Sequence, residues 1–564
     1  MALFILLGVC AIAIGIVVWR KLYPVPYPGI PYNEESAKRI AGDIPNLVAE
    51  IKATNEFSSS VFAVSTQKLG TPIAQVLFPG IRKPLIVLED PHEIEDIVLR
   101  RNKEFDKATT AIDMFAPMFP NGSISQFTTP KLKAQKRLWA DVMRVEFLNK
   151  AAAPNIHKAA LELLELWRLK AVTLNKAFSI HEDFENAALD AIWVAMIGEE
   201  PGITRYEIKK LQDQVAGQSQ KSSKEPLPRG LFLKEEVAYI ADTIARNSNT
   251  PSPKWAQRIE SYTSRYRSFR SRVTTEIGLA MGKAGERFQR LEMGNLEAEE
   301  LDTCMMDLVL RRQVLEARKS GKPLTDPTKD QNMLDEMFVM LVGGHDSTAN
   351  ALTWFVRYME AFPRVQTELR EALKAAFKSS LPSVTDILET DIPYLDGTLE
   401  ESFRLAGVAK GNLRQAIVDT QILGCKIPKG AELFMNYHVD RPPVPVDESR
   451  RTPGSRAAIE KHGDGFRGIA GRDIGAFEPR RWLLRDESTG KEAFNPHALP
   501  SIAFGGGYRG CAGRKLAYME LRIMVTLLIL NLEFLELPAE YKSMSATEKI
   551  FRQPDKPYAR VRVL

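Results

Sequence analysis

Apolar positions recur along this chain in several rhythms, and each predicts a different element. The chain opens on an uninterrupted apolar run, Ala2 to Trp19. Short β-rich runs at Ile73 to Phe78 and Pro84 to Leu88 flank Pro79-Gly80, which predicts a hairpin. Asp90 then predicts a helix cap, with Pro91 at the first helical position, Glu93 closing a capping box, and Ile94, Ile97 and Val98 on the buried face. From about Lys131 to Phe403 the spacing is predominantly helical, and Leu161, Leu164 and Trp167, then Phe184, Ala188, Ile192 and Met196, read as core stripes. The longest helix is expected over Asn332 to Phe362, about 46 Å if unbroken, with Pro363 ending it. Gly343-Gly344 inside it costs about 2 kcal/mol of helix propensity relative to two alanines. Close approach of a bulky ligand would explain such a pair. A second hairpin-like patch runs from Ile422 to Pro428 and on to Glu432 to Asn436. The Pro- and Arg-rich stretch Arg441 to Gly471 reads as a surface insertion, and the polar run Gln218 to Lys224 as a mobile loop. There is no internal repeat. The expectation is a mainly α fold with small β-sheets, of the α+β class.

The opening run carries 18 uncharged residues. As a helix it reaches about 27 Å, enough to span a thin bilayer such as that of the endoplasmic reticulum. A cleaved signal peptide is disfavoured, because no basic residue precedes the run and no small-residue cleavage site precedes Arg20-Lys21. Those two cations act as a stop signal and predict that the rest of the chain faces the cytosol. Four prolines between Tyr23 and Pro31 then forbid helix and form a stiff spacer. The expected organisation is a transmembrane anchor over 1–20, a proline-rich hinge over 21–33 and a body over 34–564.

Composition adds boundaries rather than identity. With 564 residues, 44% hydrophobic and 26% charged, the chain is neither disordered nor fibrous. At roughly 150 residues per domain the length suggests about four domains, with a single large unit left open. Seventy-six basic against 71 acidic residues leave +5. That excess is too small to indicate a nucleic-acid partner, but it permits a local basic face. The cysteines Cys10, Cys304, Cys425 and Cys511 are too few and scattered for a disulfide framework.

The densest chemical signal is Phe504-Gly505-Gly506-Gly507-Tyr508-Arg509-Gly510-Cys511-Ala512-Gly513. Gly505, Gly507 and Gly510 satisfy a GxGxxG spacing, but only a short run precedes them and too little chain follows for a dinucleotide-binding sheet. The glycines serve the cysteine instead, by letting the backbone approach a flat ligand. A cysteine just before a helix N-terminus is poised as a thiolate by the helix dipole and free amides. Zinc would need further ligands at short spacing, and none is present. One thiolate plus four donors from a macrocycle suits an iron. A buried structural cysteine in a Gly-rich turn is the plainer alternative.

The spacing Phe504-xx-Gly507-x-Arg509-x-Cys511-x-Gly513 resembles the haem-binding signature of the cytochrome P450 family. Glu401-Ser402-Phe403-Arg404 resembles that family's ExxR, Phe477 to Trp482 its PxRW segment, and Gly343-Gly344-His345-Asp346-Ser347-Thr348 its oxygen-activation motif, all in the family's order. The resemblance covers essentially the whole chain after the anchor, and it implies a cytochrome P450 fold carrying haem b. It implies that Cys511 is the axial iron ligand and that Phe504, Gly507 and Gly513 shape its loop. Glu401, Arg404 and Arg481 would form a charge-locked triad behind it. Arg509 and Arg414 would meet the haem propionates. The family's WxxxR aligns with Leu132 and Lys136, so the tryptophan is missing while Lys136, with Arg137, can supply charge.

The same resemblance assigns Asp346 as the distal acid, with Ser347 where most members carry threonine and Thr348 as a nearby substitute hydroxyl. The glycine pair would let the helix bulge over the haem, and His345 would be a polar helix residue turned from the iron. Substrate contacts are expected from Met114, Phe115, Met118 and Phe119, from Val342, and from Val408-Ala409, all apolar, which favours a lipophilic substrate. The implied activity is monooxygenation, with a role in secondary metabolism. The implied partners are a membrane-bound NADPH-dependent flavoprotein reductase, with cytochrome b5 as a second donor, at the endoplasmic reticulum membrane. A haem-thiolate isomerase or dehydratase, and a non-catalytic haem-binding membrane protein, are the alternatives; Asp346 and Ser347 argue against both.

Overall fold

The two β-rich runs form the predicted hairpin, β1 (Ile73–Val76) and β2 (Leu85–Leu88), antiparallel with Ile73 opposite Leu88. Both strands are buried throughout, which is why they read as continuous apolar runs rather than alternating ones. They belong to a five-stranded sheet completed by β3 (Phe105–Lys107), β4 (Gly411–Ala416) and, after the short hairpin β5 (Thr420–Ile422) and β6 (Cys425–Ile427), β7 (Glu432–Asn436). The strand order is β1-β2-β7-β4-β3. The second hairpin is therefore shorter than expected. Glu432 to Asn436 leaves it to pair in parallel with β2 and antiparallel with β4. The apolar residues Leu433, Phe434 and Met435 are buried there, and a two-stranded ribbon could not cover them.

The computed structural model describes residues 21–80, 82–217, 228–250, 252–292, 303–321, 326–463, 466 and 473–564. The expected anchor over 1–20 and the expected mobile loop over 218–224 lie outside these residues. Among the described residues no helix is long and apolar enough to cross a membrane.

The helices that position the site are α1 (Pro91–Leu99), α2 (Pro130–Leu138), α3 (Ala153–Leu174), α4 (His181–Ile197), α5 (Pro253–Glu260), α6 (Gln331–Ala361), α7 (Pro393–Ala406), α8 (Pro453–His462) and α9 (Arg514–Asn531). Asp90 caps α1 by accepting from the Glu93 amide at 2.8 Å. The predicted box is only half made, because the Glu93 carboxylate accepts from the Thr452 amide at 3.2 Å instead. The described part of the Arg441 to Gly471 stretch is largely exposed, as expected of a surface insertion, but it is pinned to α1. Buried Arg451 pairs with both carboxylate oxygens of Asp90 at 2.7 and 2.9 Å, and Thr452 donates to Asp96 at 2.7 Å.

Helix α6 runs from Gln331 to Ala361 and a new helix starts at Pro363. It is α-helical through Gly343-Gly344, so the expected bulge is not formed. The two glycines answer to different neighbours. A Cβ at Gly344 would sit 3.0 Å from the Ile192 side chain of α4, whereas one at Gly343 would meet no atom within 4 Å. Helix–helix packing therefore accounts for one glycine of the pair. Trp167 of α3, Phe184 and Ile192 of α4, Phe338 and Trp354 of α6, and Leu521 and Leu528 of α9 share one continuous core. That core joins elements spread across most of the chain, in place of the four separate domains suggested by length.

Candidate functional site

The Gly-rich loop lies between α1 and α7. Gly507 has φ +59°, and a Cβ there would collide with the Val98 carbonyl of α1; a Cβ at Gly506 would collide with Leu99. The glycines are thus required first by protein packing. The Cys511 amide donates to the Phe504 carbonyl at 2.9 Å, closing the loop. The Phe504 ring meets Phe403 of α7 edge-on at 4.9 Å. Glu400, next to the ExxR glutamate, accepts from both Tyr518 and Ser501, which ties the two sides of the loop to α7. Sequence reasoning did not identify Glu400.

Behind the loop, Glu401 is fully buried. It accepts from Arg404 at 2.7 and 2.8 Å, from Arg481 Nε at 2.8 Å, from the Glu478 amide at 3.0 Å and from Trp482 Nε1 at 2.8 Å. Arg404 also donates to the Val439 carbonyl, and Arg481 to those of Ala476 and Asp473. A buried carboxylate with this many donors holds its neighbours in one arrangement.

Cys511 sits two residues before the Gly513 N-cap of α9. Burial pushes its thiol up, against the Gly513 and Arg514 amides and the charges of Arg514 and Lys136, which favour the thiolate. The expected helix effect is present, but burial outweighs it, so a metal ion would be needed to displace the proton. Cys511 nevertheless retains accessible surface, as do Lys107 and Gly343. The charge of Lys136 reaches Cys511, and those of Arg509, Arg414 and Lys136 reach Lys107, so the cysteine loop lies beside a cluster of cations.

Four cations, Lys107, Lys136, Arg414 and Arg509, gather beside the cysteine loop. The β3–β4 register sets Lys107 directly opposite Arg414, a like-charge pairing that destabilises a sheet unless an anion lies between. Burial, then Arg509 and Arg414, push the Lys107 ammonium down to about 7. Arg414 donates through Nη1 to Asn412 at 2.7 Å, but its buried Nη2 has no partner among the described residues. Arg509 is held by Asp106 at 3.1 Å, Thr128 at 2.9 Å and the Gln126 carbonyl at 2.8 Å. Lys136 donates to the Tyr508 carbonyl at 2.6 Å and lies over the Tyr508 ring. Arg137 is exposed on α2, with its charge reaching Tyr508. Excess buried positive charge, an orphaned guanidinium nitrogen and an open sulfur together fit a planar dianionic macrocycle with a metal at its centre. Lys107 was missed because nothing in Phe105-Asp106-Lys107 signals it; only strand pairing brings it to Arg414.

On α6, Ser347 shares the face of Gly343 and donates to its carbonyl at 2.6 Å. Thr348, expected as a substitute hydroxyl, is buried on the other side, donating to the Gly344 carbonyl at 2.9 Å with Glu520 of α9 at 3.4 Å. Asp346 points toward α4. Its Oδ1 accepts from Asn350 at 2.7 Å, and burial pushes its carboxyl above the usual range. His345 is buried and donates through Nδ1 to the Leu341 carbonyl at 2.9 Å. Of the expected substrate residues, Met114, Phe115, Val408 and Ala409 keep accessible surface. Met118 and Phe119 are buried in the core, where Phe119 stacks on Phe338 at 4.9 Å. A separate cavity of about 910 Å³, lined by Asp96, Arg100 and Lys426 among others, lies on the face of α1 away from the Gly-rich loop.

A helical body built around a Gly-rich cysteine loop, a Glu–Arg–Arg lock and a glycine-containing central helix defines a haem-thiolate protein. The family model for cytochrome P450 matches residues 66–439 and 475–560, and the chain belongs to that family. A solved structure titled as that of a cytochrome P450, CYP102L1, superposes with a TM-score of 0.65 at 17% identity, covering 96% of this chain and all of the other. Cytochrome P450 monooxygenase TRI13 of Fusarium sporotrichioides is 28% identical, over 98% of each chain. Cytochrome P450 monooxygenase GME11363 of Pestalotiopsis microspora is 30% identical, over 97% of this chain and 96% of its own. The xilC monooxygenase of Penicillium rubens is also 30% identical, over 97% and 94%. The enzyme class is that of an oxidoreductase incorporating one oxygen atom, and family membership implies a haem-iron cofactor.

Proposed function

We propose that this cytochrome P450 oxidises a lipophilic small molecule of secondary metabolism, at the cytosolic face of the endoplasmic reticulum membrane. Its electrons come from an NADPH-dependent flavoprotein reductase, with cytochrome b5 as a second donor. The observation that carries the reading is the accessible Cys511 sulfur beside the cation cluster of Lys136, Arg509, Arg414 and Lys107, with Arg414 Nη2 left unpartnered.

Haem b would be held by Cys511 at the metal and by Arg414, Lys107, Arg509 and Lys136 at its carboxylates. When bound, it supplies oxygen activation, favoured by electron donation from the thiolate. The chain contributes position and protons. Burial raises the Asp346 carboxyl and so favours the form that carries a proton near the distal side. The Ser347 hydrogen is directed to the Gly343 carbonyl, so its lone pairs are free to accept from a water molecule. Arg509, anchored on Asp106 and Thr128, and Arg414, anchored on Asn412, orient the cofactor edge.

The lipophilic and membrane readings draw support from α5. Trp255, Ile259 and the following Tyr262 form a helical stripe that is 61%, 68% and 70% exposed. An exposed aromatic stripe beside cations suits an interfacial surface. Lys254 of α5 meets Asp113 at 3.3 Å, next to Met114 and Phe115, so this stripe adjoins the expected substrate loop. The test is a reduced carbon-monoxide spectrum followed by labelled-oxygen incorporation with NADPH and reductase. A thiolate-type Soret band present in wild type and absent in Cys511→Ala is expected, and well-folded protein without haem would overturn the reading. Turnover needing neither NADPH nor O2 would identify a rearrangement enzyme instead.

A further inference from the structure

Where α4 packs along α6, His181, Glu185 and Asp346 offer ligand atoms that all lie within 4.8 Å of one another. We propose that these three residues form a site for a divalent transition-metal ion, and that occupation of the site inhibits the enzyme by sequestering Asp346.

The first argument is the tautomer of His181. Thr353 Oγ1 donates its only hydrogen to the Ala349 carbonyl at 2.7 Å. It can therefore only accept from His181 Nδ1, 3.2 Å away. A neutral His181 then carries its proton on Nδ1 and turns the bare lone pair of Nε2 toward Glu185 Oε1, at 3.3 Å. Two acceptors in that relation need a positive centre between them, either a metal ion or a proton on Nε2. The Nδ1 contact to Thr353 is also the second-shell hydrogen bond that orients metal-binding histidines.

The second argument is geometric. With zinc–ligand distances of about 2.0–2.1 Å, the edge of a tetrahedron is about 3.3–3.4 Å. The His181–Glu185 separation already has that value, set by their i, i+4 spacing on α4. Asp346 offers an oxygen within 4.8 Å of both, so it reaches the third position by closing a gap of at most about 1.5 Å, and water completes the set. The imidazole selects a transition metal over magnesium or calcium. The pair is reachable, with side chains 13% and 33% exposed. The neighbouring cations are engaged elsewhere, Lys234 on Glu182 and Lys549 on Asp242, so Glu185 faces the incoming ion as a carboxylate and Asp346 releases its proton to solvent when it ligates.

Metal binding stands independently of the monooxygenase reading, whereas its inhibitory effect rests on that reading. The experiment titrates zinc into EDTA-treated holoenzyme against a chromophoric chelator and records the zinc X-ray absorption edge. His462 and His497, whose rings stack at 4.2 Å, are a second zinc candidate, so His462→Gln is the background for all samples. One site with oxygen and imidazole ligands is expected, at least tenfold weaker in His181→Gln and in Glu185→Gln. An intact reduced carbon-monoxide spectrum shows that each variant is folded. Equal zinc binding in all three proteins, or none in the parent, would overturn the site, the latter meaning that a protonated His181 bridges Glu185. Inhibition is read as the ratio of reductase-supported oxygen consumption without and with zinc. That ratio should fall toward one in Glu185→Gln, and tight binding without inhibition would overturn the regulatory half. Absence of turnover in metal-free parent would count against the monooxygenase reading and leave the binding result standing.

Discussion

Arg414 and Lys107 show how a single residue can be prepared for a ligand. A buried guanidinium nitrogen without a partner is costly, and hydrogen bonds to charged groups contribute about 1.5–3 kcal/mol. Arg414→Leu should therefore speed haem transfer to apomyoglobin by roughly ten- to a hundredfold. Lys107→Met should have a smaller effect, because Lys107 already donates to the Ile124 carbonyl. Arg414 was legible in the sequence from its distance to Arg404, whereas Lys107 was not: its role comes from a pairing between strands about 300 residues apart. Glu520 is another case that spacing does not reveal. Burial raises its carboxyl to about 8, far above an ordinary glutamate near 4.3. The folded state then holds a proton that the unfolded chain releases, so stability is fullest below pH ~4.3 and is lost as pH rises toward 8. Denaturation midpoints of the holoenzyme should fall over that window in wild type and stay flat by comparison in Glu520→Gln. Parallel curves for the two proteins would refute a neutral buried Glu520.

At the scale of an element, helix α6 separates two readings of one motif. Both glycines were expected to serve a ligand, but only Gly343 faces open space, while Gly344 makes room for Ile192 of α4. Gly344→Ala should be destabilising through overpacking, by about 1–3 kcal/mol, despite alanine's better helix propensity. Gly343→Ala should keep or raise the melting temperature of haem-free protein, yet weaken haem incorporation, measured as the haem-to-protein ratio. A similar loss of stability in both variants would show that the distinction is wrong. Helix α1 teaches a related lesson. Its Asp90 cap was readable because capping is local, but Glu93 was recruited by Thr452, a partner that no local rule identifies.

Across the whole molecule, the membrane reading proposed above makes the exposed stripe of α5 a contact distinct from the expected anchor. Protein lacking residues 1–20 should still sediment in part with lipid vesicles. Replacing Trp255, Ile259 and Tyr262 by serine should release that fraction while leaving the carbon-monoxide spectrum intact. Complete solubility before the triple substitution would exclude this contact. The same scale explains why length misled about domains. The expected site residues come from β3, β4, α6 and the loop before α9, and no smaller part of the chain contains Cys511 together with Lys107, Arg414 and Asp346.

Sequence alone determined what depends on neighbours along the chain: the α1 cap, the β1–β2 hairpin, the extent of α6, and the motif spacing that marks Cys511, Glu401, Arg404 and Arg481. Helix periods, turns and short motifs are written within a few residues, so they are readable without coordinates. Tertiary structure decided the rest. It assigned Gly344 to packing, turned Thr348 into the core, left Arg137 on the surface, buried Met118 and Phe119, and brought Lys107 to Arg414 and His181 to Asp346. Those outcomes depend on which faces meet once the apolar surfaces are buried, and contacts between distant segments leave no periodic trace in either one.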